Sequence, residues 1–225
     1  MTLHIEENIN QLDKNRADFQ QRIEYLPADD QKLIMDAYSM AEAAHQGKKR
    51  DSGEDYFEHL RNVALIYIDE CQLKNRDLII AALLHDSIEE SKLFADSKLA
   101  YSKWKEISHY NLSSYFNEKV AEMVIFLTRP GVDGVEIKTE EESHQVYIKN
   151  LLEGSPDTMI LKMCDRLHNL RTQKGTTKEK RQRKVLETRT DYLPIFQEAL
   201  LAYPDAGAYL LEKINKELEL LEEMD

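Results

Sequence analysis

The chain has 225 residues and a formal net charge of −12, with 42 % apolar and 32 % charged residues. This length fits one large domain, or one domain with a small helical appendage. The acidic balance disfavours duplex nucleic acid as a partner, although a metal ion and a few local cations can still attract a small anion. The sequence has neither a long apolar run nor a secretory signal, which predicts a cytoplasmic protein without a membrane span.

The two cysteines, Cys71 and Cys164, form no CxxC pair and lie among apolar residues. We interpret them as buried free thiols, not as part of a disulfide framework or a structural zinc site. Residues 54–129 contain no glycine or proline, and no stretch alternates between apolar and polar residues over a useful strand length. The predicted fold class is therefore all-α, a helical bundle of about nine to ten helices.

Apolar residues recur at helical spacing along most of the chain, and the predicted elements follow from this pattern. Residues 1–26 are predicted to form an N-terminal helical extension, residues 27–200 the main domain and residues 205–225 a C-terminal helix. The extension has a loose apolar pattern at Ile5, Ile9, Leu12, Phe19 and Ile23. Helices of the main domain are predicted near residues 29–46, 54–67, 77–90, 97–110, 113–127, 140–152, 157–170 and 178–201.

The helix over residues 77–90 is the most informative, because its middle is apolar on all sides while His85-Asp86 follows that middle. A helix that is apolar all round belongs in the centre of a domain. An imidazole and a carboxylate at its polar end can both face one cavity and bind a divalent cation. Mixed nitrogen and oxygen ligands suit manganese, iron or zinc better than calcium. The pair alone would fit a hydrogen-bonded polar pair equally well.

Neighbouring residues strengthen the metal hypothesis. His59 lies on the preceding predicted helix, and Asp165 is an acid within an otherwise core-like segment. An unpaired buried carboxylate is costly, so Asp165 needs a cation or several donors. Glu89 and Glu90 follow one turn later, and Glu89 shares a helix face with Asp86. Together these residues predict a metal site beside an acid that orients water.

Four stretches carry a recognisable family pattern: residues 44–59 (AHQGKKRDSGEDYFEH), 81–90 (AALLHDSIEE), 120–128 (VAEMVIFLT) and 162–172 (KMCDRLHNLRT). In this order they resemble the hydrolase domain of RelA/SpoT-type proteins and of small stand-alone alarmone hydrolases, which are members of the HD superfamily. The resemblance covers about residues 30–196, and its last motif is long and specific.

The resemblance implies that residues 27–200 are an HD-type hydrolase domain, which removes the 3′-pyrophosphate of guanosine tetra- and pentaphosphate with manganese. The implied metal ligands are His59, His85, Asp86 and Asp165. The residues implied to handle the attacking water are Glu89 and Glu90. The implied nucleotide contacts are Arg50, Ser52, Tyr147, Asn169 and Thr172. The chain departs from the family pattern at Asp51, where a basic residue is common, at Glu90, where Asp is common, and at Asp55, where Pro is common.

Alternatives to this function stay open on the sequence alone. One is an HD hydrolase that acts on another nucleotide or phosphoester, which Asp51 and the acidic charge favour. Another is a catalytically silent HD domain that binds a nucleotide or a partner protein, and a third is a helical scaffold without a ligand. In the main interpretation the partner is a small nucleotide, and the chain is too short to add a synthetase domain.

Two surfaces also have two interpretations each. The basic run of residues 171–184 contains seven cations against the single acid Glu179. It fits a solvated helix face or a surface that draws an anionic substrate toward the site. The apolar stripe of the C-terminal helix fits packing on the domain or on a second subunit of a homo-oligomer.

Overall fold

The computed structural model describes residues 13–96 and 98–224, and within them the chain is helical with one isolated β-bridge between Lys49 and Asp55. The predicted all-α fold class is confirmed. Residues 13–22 are helical, whereas Ile5, Ile9 and Leu12 of the predicted extension lie outside the described residues. The α-helices that follow are α1 (Ala28–Ala44), α2 (Tyr56–Leu65), α3 (Arg76–Leu84), α4 (Tyr101–Tyr115), α5 (Glu118–Leu127), α6 (Glu140–Glu153), α7 (Pro156–Arg171), α8 (Lys178–Glu187), α9 (Leu193–Ala202) and α10 (Pro204–Glu223).

Two predicted boundaries were wrong. The helix predicted to reach residue 90 ends at Leu84, and residues 85–90 continue as turns. There the Ser87 hydroxyl donates to the Leu84 carbonyl and competes with the helical hydrogen bonds. The predicted break at residues 111–112 lies instead at Asn117, whose side chain accepts from the Val120 N–H at 2.9 Å and caps α5.

The single helix predicted over residues 178–201 is interrupted. Between α8 and α9 the residues Thr188–Tyr192 are π-helical, a local widening that is often found at functional sites. The Thr188 hydroxyl donates to the Lys184 carbonyl at 2.6 Å, a side-chain bond that bends helices. A second π-helical segment, Ile66–Glu70, extends α2.

Helix α7 is the centre of the bundle. It packs against α2, α3, α5, α9 and α10, and every residue from Thr158 to His168 is buried. Helix α3 is equally enclosed, because all residues from Leu78 to Leu84 are buried. Polar side chains on or next to these two helices therefore lie in the interior of the domain, where each needs a partner.

The apolar stripe of α10 packs on α7 and α9 of the same chain. Leu210, Ile214, Leu218 and Leu221 are fully buried there. Of the ten α-helices and the shorter segments in the described part of the chain, none combines the length and apolar character that crossing a bilayer requires.

Candidate functional site

Three elements bring four of the predicted site residues together. His59 comes from α2, His85 and Asp86 from the turn after α3, and Asp165 from α7. His59 Nε2 lies 3.2 Å from Asp165 Oδ1 and 3.7 Å from Asp86 Oδ2. His85 Nε2 lies 3.4 Å from Asp86 Oδ1 and 3.7 Å from Asp165 Oδ1. Two imidazoles and two carboxylates thus converge on one point in the interior.

The hydrogen bonds of the two imidazoles determine which ring nitrogen faces this point. His85 Nδ1 lies 2.8 Å from the Ala82 carbonyl, which only accepts, so Nδ1 carries a proton. His59 Nδ1 lies 2.8 Å from His168 Nδ1. Burial lowers the pKa of His59 to about 4 and that of His168 to about 3, so both rings are neutral at pH 7. We assign the shared proton to His59 Nδ1, which directs its Nε2 lone pair toward the carboxylates.

This arrangement fits a divalent metal ion. The ligand atoms of His59, His85 and Asp86 lie within 4.8 Å of one another, and the buried His85 Nε2 has no hydrogen-bond partner. Burial alone would lower the pKa of His85, but the carboxylates of Asp86 and Asp165 raise it to about 9. The side chains therefore favour a positive charge between them, and neutral imidazole with carboxylate is a donor set for first-row divalent ions.

Asp165 is oriented by neighbours on its own helix. Lys162 Nζ donates to Asp165 Oδ2 at 2.6 Å, and Asn169 Nδ2 donates to Asp165 Oδ1 at 2.6 Å. Burial would raise the pKa of Asp165, but Lys162 and the two histidines hold it well below its usual range. Asp86 is oriented in the same way by the Tyr56 hydroxyl, which donates to Oδ2 at 2.8 Å. Both carboxylates are fixed in their ionised form.

Three of the four residues, His59, Asp86 and Asp165, line a cavity of about 230 Å³, the metal-site cavity. His85 lies next to this lining, in contact with Asp86 and Asp165. Glu89 lies in the cavity wall, open to solvent, and accepts from the Arg129 backbone N–H at 3.2 Å. Although part of the side chain reaches solvent, desolvation of its carboxyl group within the wall and the charge of Asp86 raise the pKa of Glu89 to about 7. The residues that line the cavity are Arg50, Tyr56, His59, Asp86, Glu89, Leu127, Arg129, Tyr147, Lys162, Asp165, Arg166, Asn169, Lys184, Glu187 and Tyr192.

A second cavity of about 510 Å³, the basic cavity, adjoins the first. Its lining residues are Lys48, Lys49, Arg50, Asp51, Ser52, Tyr56, Glu90, Asn169, Thr172, Gln173, Thr176, Lys180, Arg183 and Lys184. Four residues line both cavities: Arg50, Tyr56, Asn169 and Lys184. The two cavities are therefore neighbours that share these four residues as a common wall.

The loop between α1 and α2 forms one side of the basic cavity. Gly47 and Gly53 have φ values of +76° and +86°, which allow the tight turns at its two ends. Arg50 donates to the Asn169 side-chain oxygen. Asp51 Oδ2 lies 2.7 Å from Lys180 Nζ on α8, an ion pair that offsets the charge of the acid at this departure from the expected family pattern. This side of the cavity keeps a basic surface despite Asp51.

The remaining predicted residues divide between the cavities. Tyr147 lines the metal-site cavity, Ser52 and Thr172 line the basic cavity, and the neighbours Glu89 and Glu90 face different cavities. The basic run contributes Lys180, Arg183 and Lys184 to the site, in line with its second interpretation. The sequence analysis did not identify the following lining residues as part of the site: Tyr56, Arg129, Lys162, Arg166, Glu187 and Tyr192.

Comparisons with known proteins identify the family and the fold. A family model described as HD domain matches residues 37–198. The solved structure of a metazoan ortholog of SpoT, described as hydrolysing ppGpp, has the same fold with a TM-score of 0.60 and 19 % identity. The superposition covers 84 % of this chain and 94 % of that one.

Two curated relatives extend the comparison. The bifunctional (p)ppGpp synthase/hydrolase SpoT of Escherichia coli (strain K12) is 29 % identical over 174 residues, which cover 76 % of this chain and 22 % of that protein. A guanosine-3′,5′-bis(diphosphate) 3′-pyrophosphohydrolase of Aquifex aeolicus is 35 % identical over 164 residues, or 72 % of this chain and 21 % of that protein. The chain thus spans about a fifth of the length of these relatives.

Proposed function

The chain belongs to the HD domain family, and from this membership we propose that it is a metal-dependent phosphohydrolase that removes the 3′-pyrophosphate of guanosine tetra- and pentaphosphate. One observation carries the proposal: the metal-site cavity and the basic cavity are neighbours that share Arg50, Tyr56, Asn169 and Lys184. A nucleotide with anionic groups on both its 3′ and its 5′ side can occupy such a paired site, with one group in each cavity.

We propose His59, His85, Asp86 and Asp165 as the ligands of a divalent first-row ion, because two imidazoles and two carboxylates form a mixed nitrogen and oxygen donor set. Manganese is the ion that the family resemblance implies. When bound there, the ion supplies Lewis acidity that neutralises charge developing on the phosphoryl group. The protein contributes rigidity: Asp165 is held by Lys162 and Asn169, and Asp86 by Tyr56. Ligands held in this way lose little freedom when they bind the ion.

Glu89 is the proposed acceptor of the proton from the attacking water. It lines the metal-site cavity, and its pKa of about 7 suits proton exchange near neutral pH. The water oxygen forms a bond to the inner phosphorus of the 3′-diphosphate, and the bond from that phosphorus to the ribose O3′ breaks. O3′ then takes up a proton, which gives pyrophosphate and a nucleotide with a free 3′-hydroxyl. Glu90 faces the neighbouring basic cavity and acts on the substrate only through its charge.

The basic cavity is the proposed site of the rest of the nucleotide. Arg50 and Ser52 on the loop, with Asn169 and Thr172 on α7 and its C-cap, line it. The buried Ser52 Oγ has no hydrogen-bond partner and can donate to a substrate oxygen. Tyr147 in the metal-site cavity provides an aromatic surface next to the reacting phosphates.

The test uses the whole chain loaded with manganese and guanosine tetraphosphate as substrate, with products separated by ion-exchange chromatography. Pyrophosphate and guanosine diphosphate should appear in equal amounts, and a chelator should stop their release. The variant His85→Ala should lose both bound manganese and turnover, because it removes an inward-facing nitrogen. Lys213→Met on α10, where Lys213 pairs with Glu212, is the matched surface control.

Three outcomes contradict the proposal in whole or in part. Turnover of another phosphoester with no turnover of the alarmone would keep the HD chemistry and replace the substrate. Bound manganese without turnover across a panel of nucleotides would show a binding module. Full activity of His85→Ala would remove that residue from the ligand set.

A further inference from the structure

Two buried cations and one half-buried cation line the metal-site cavity in addition to the proposed metal ligands. Lys162 and Arg166 lie on α7, and Lys184 lies on α8. Lys162 is 7 % exposed and Arg166 only 2 %. We call these three residues the cationic wall. Buried cations are expensive unless they are paired or serve a bound anion.

The available acids do not balance this wall. Glu187 pairs with two of its members, with Oε2 at 3.2 Å from Arg166 Nη1 and 2.8 Å from Lys184 Nζ. Burial would raise the pKa of Glu187, but these cations lower it to about 2, so it stays ionised. Among the described residues Lys162 forms an ion pair only with Asp165, which also belongs to the proposed metal ligands.

The lining of the whole cavity is therefore positive once a metal is bound. Five cationic side chains face four carboxylates, so a divalent ion brings the excess to three positive charges when all groups are ionised. A diphosphate ester carries about three negative charges near neutral pH, against roughly two for a monophosphate. The charged members are Arg50, Arg129, Lys162, Arg166 and Lys184 on one side and Asp86, Glu89, Asp165 and Glu187 on the other.

Arg166 has a donor that nothing in the described chain satisfies. Its Nε is buried without a hydrogen-bond partner, while its guanidinium lies 3.7 Å above the ring of Tyr192. Lys162 Nζ lies 5.1 Å from the centre of the Tyr147 ring and 5.4 Å from that of Tyr192. The two tyrosines hold the cations in place on an apolar surface. An unpaired donor on a fixed guanidinium at a cavity calls for an oxyanion.

We propose that the cationic wall binds the outer phosphate of a diphosphate group whose inner phosphate lies at the metal ligands, and that it makes the site select a diphosphate over a monophosphate. Lys184 is the specificity-determining member, because it lies at the junction with the basic cavity and its side chain is 29 % exposed. The identity of the attached nucleoside rests on the proposed function, whereas the selection of the anion does not.

The experiment measures binding of inorganic pyrophosphate and of orthophosphate by calorimetry. All proteins are metal-loaded and titrated in the same excess of magnesium, so that chelation by pyrophosphate is equal for each variant. The wild-type protein should bind pyrophosphate at least about tenfold more tightly than orthophosphate. Lys184→Met should weaken pyrophosphate binding about tenfold and leave orthophosphate within about twofold, since it removes one charge-assisted hydrogen bond.

Further variants separate charge from folding. Lys184→Gln can keep a hydrogen bond to Glu187 but loses the positive charge, so it should weaken pyrophosphate binding as Lys184→Met does. Lys184→Arg keeps the charge and should bind pyrophosphate about as tightly as the wild type. Lys213→Met should bind both anions as the wild type does, and thermal melts report whether each variant is folded. Equal loss of both anions, or no loss of either, in a folded Lys184 variant overturns the proposal.

The proposal and the proposed function fail in different ways. If the protein does not hydrolyse the alarmone but still prefers pyrophosphate through Lys184, the proposed role of the cationic wall stands and only the assigned nucleotide substrate is wrong. If the protein hydrolyses the alarmone but Lys184→Met binds pyrophosphate as the wild type does, the proposed function stands and the proposed role of the cationic wall is wrong.

Discussion

The two cavities of the site are built in different ways. The metal-site cavity is enclosed by buried helices, and its carboxylates are held by hydrogen bonds within the protein, as in the contacts of Asp165 with Lys162 and Asn169. The basic cavity lies between the Gly47–Gly53 loop and α8, and its side chains are more exposed, as Asp51 and Arg183 are. One cavity is rigid and the other adaptable.

This difference suggests a division of labour. Catalysis depends on reacting groups held within a fraction of an ångström, which buried helices provide. Recognition of a flexible, highly charged nucleotide tolerates a loop and long basic side chains, because electrostatic attraction acts over several ångströms. Substitutions in the metal-site cavity should therefore change kcat, and those in the basic cavity should change KM.

Glu89→Gln should have the largest effect. Glu89 faces only the metal-site cavity, so loss of the proton acceptor should lower kcat by about 10²- to 10⁴-fold with little change in KM. Glu89 must be ionised to accept a proton, and its pKa is about 7 in the metal-free protein. A bound divalent ion stabilises the carboxylate, so kcat of the wild type should rise with pH at or below about 7. Steady-state kinetics from pH 5.5 to 9 test this, and the variant should lack the acidic limb. Glu122→Gln, on the exposed side of α5, is the control.

Arg50→Ala should lower activity by an intermediate amount, through both kcat and KM. Arg50 lines both cavities and donates to Asn169, which in turn holds Asp165. We expect kcat/KM to fall by about 10- to 100-fold, the size of one or two charge-assisted hydrogen bonds, with contributions from both constants. An effect on KM alone would assign Arg50 to the basic cavity only. Arg189→Ala, at an exposed ion pair with Glu222, is the control.

Glu90→Gln should have the smallest effect and the opposite sign. Glu90 lines the basic cavity, so removal of its charge should favour an anionic substrate and lower KM by about twofold to fivefold. Its kcat should change little. A large loss of kcat in this variant would instead indicate that Glu90 acts on the attacking water. It would contradict the proposed division of catalysis and recognition between the two cavities.

The residues of the metal-site cavity could be predicted from the sequence more readily than those of the basic cavity. His85-Asp86 stood out because a wholly apolar helix precedes it, and Asp165 because a charge in a core-like segment needs partners. The same argument applies to Lys162 and Arg166, which lie on the fully buried stretch of α7, so this part of the cationic wall could have been found.

The rest depended on contacts between distant segments. Tyr192 belongs to a π-helical segment, whereas the apolar pattern predicted an uninterrupted helix there. The pairing of Asp51 with Lys180 joins residues 129 positions apart, which no local pattern reveals. The same holds for Glu89 and Glu90, which are adjacent in sequence but face different cavities.

The four junction residues limit how this site can evolve. A substitution of Arg50, Tyr56, Asn169 or Lys184 alters both cavities at once, so its benefit for a new substrate is tied to a cost for the reaction. We therefore expect strong epistasis among these four positions and near-additive effects at positions that face only the basic cavity, such as Asp51. Adaptation to new nucleotides is thus directed to the loop and to the outer face of α8, while the junction changes last.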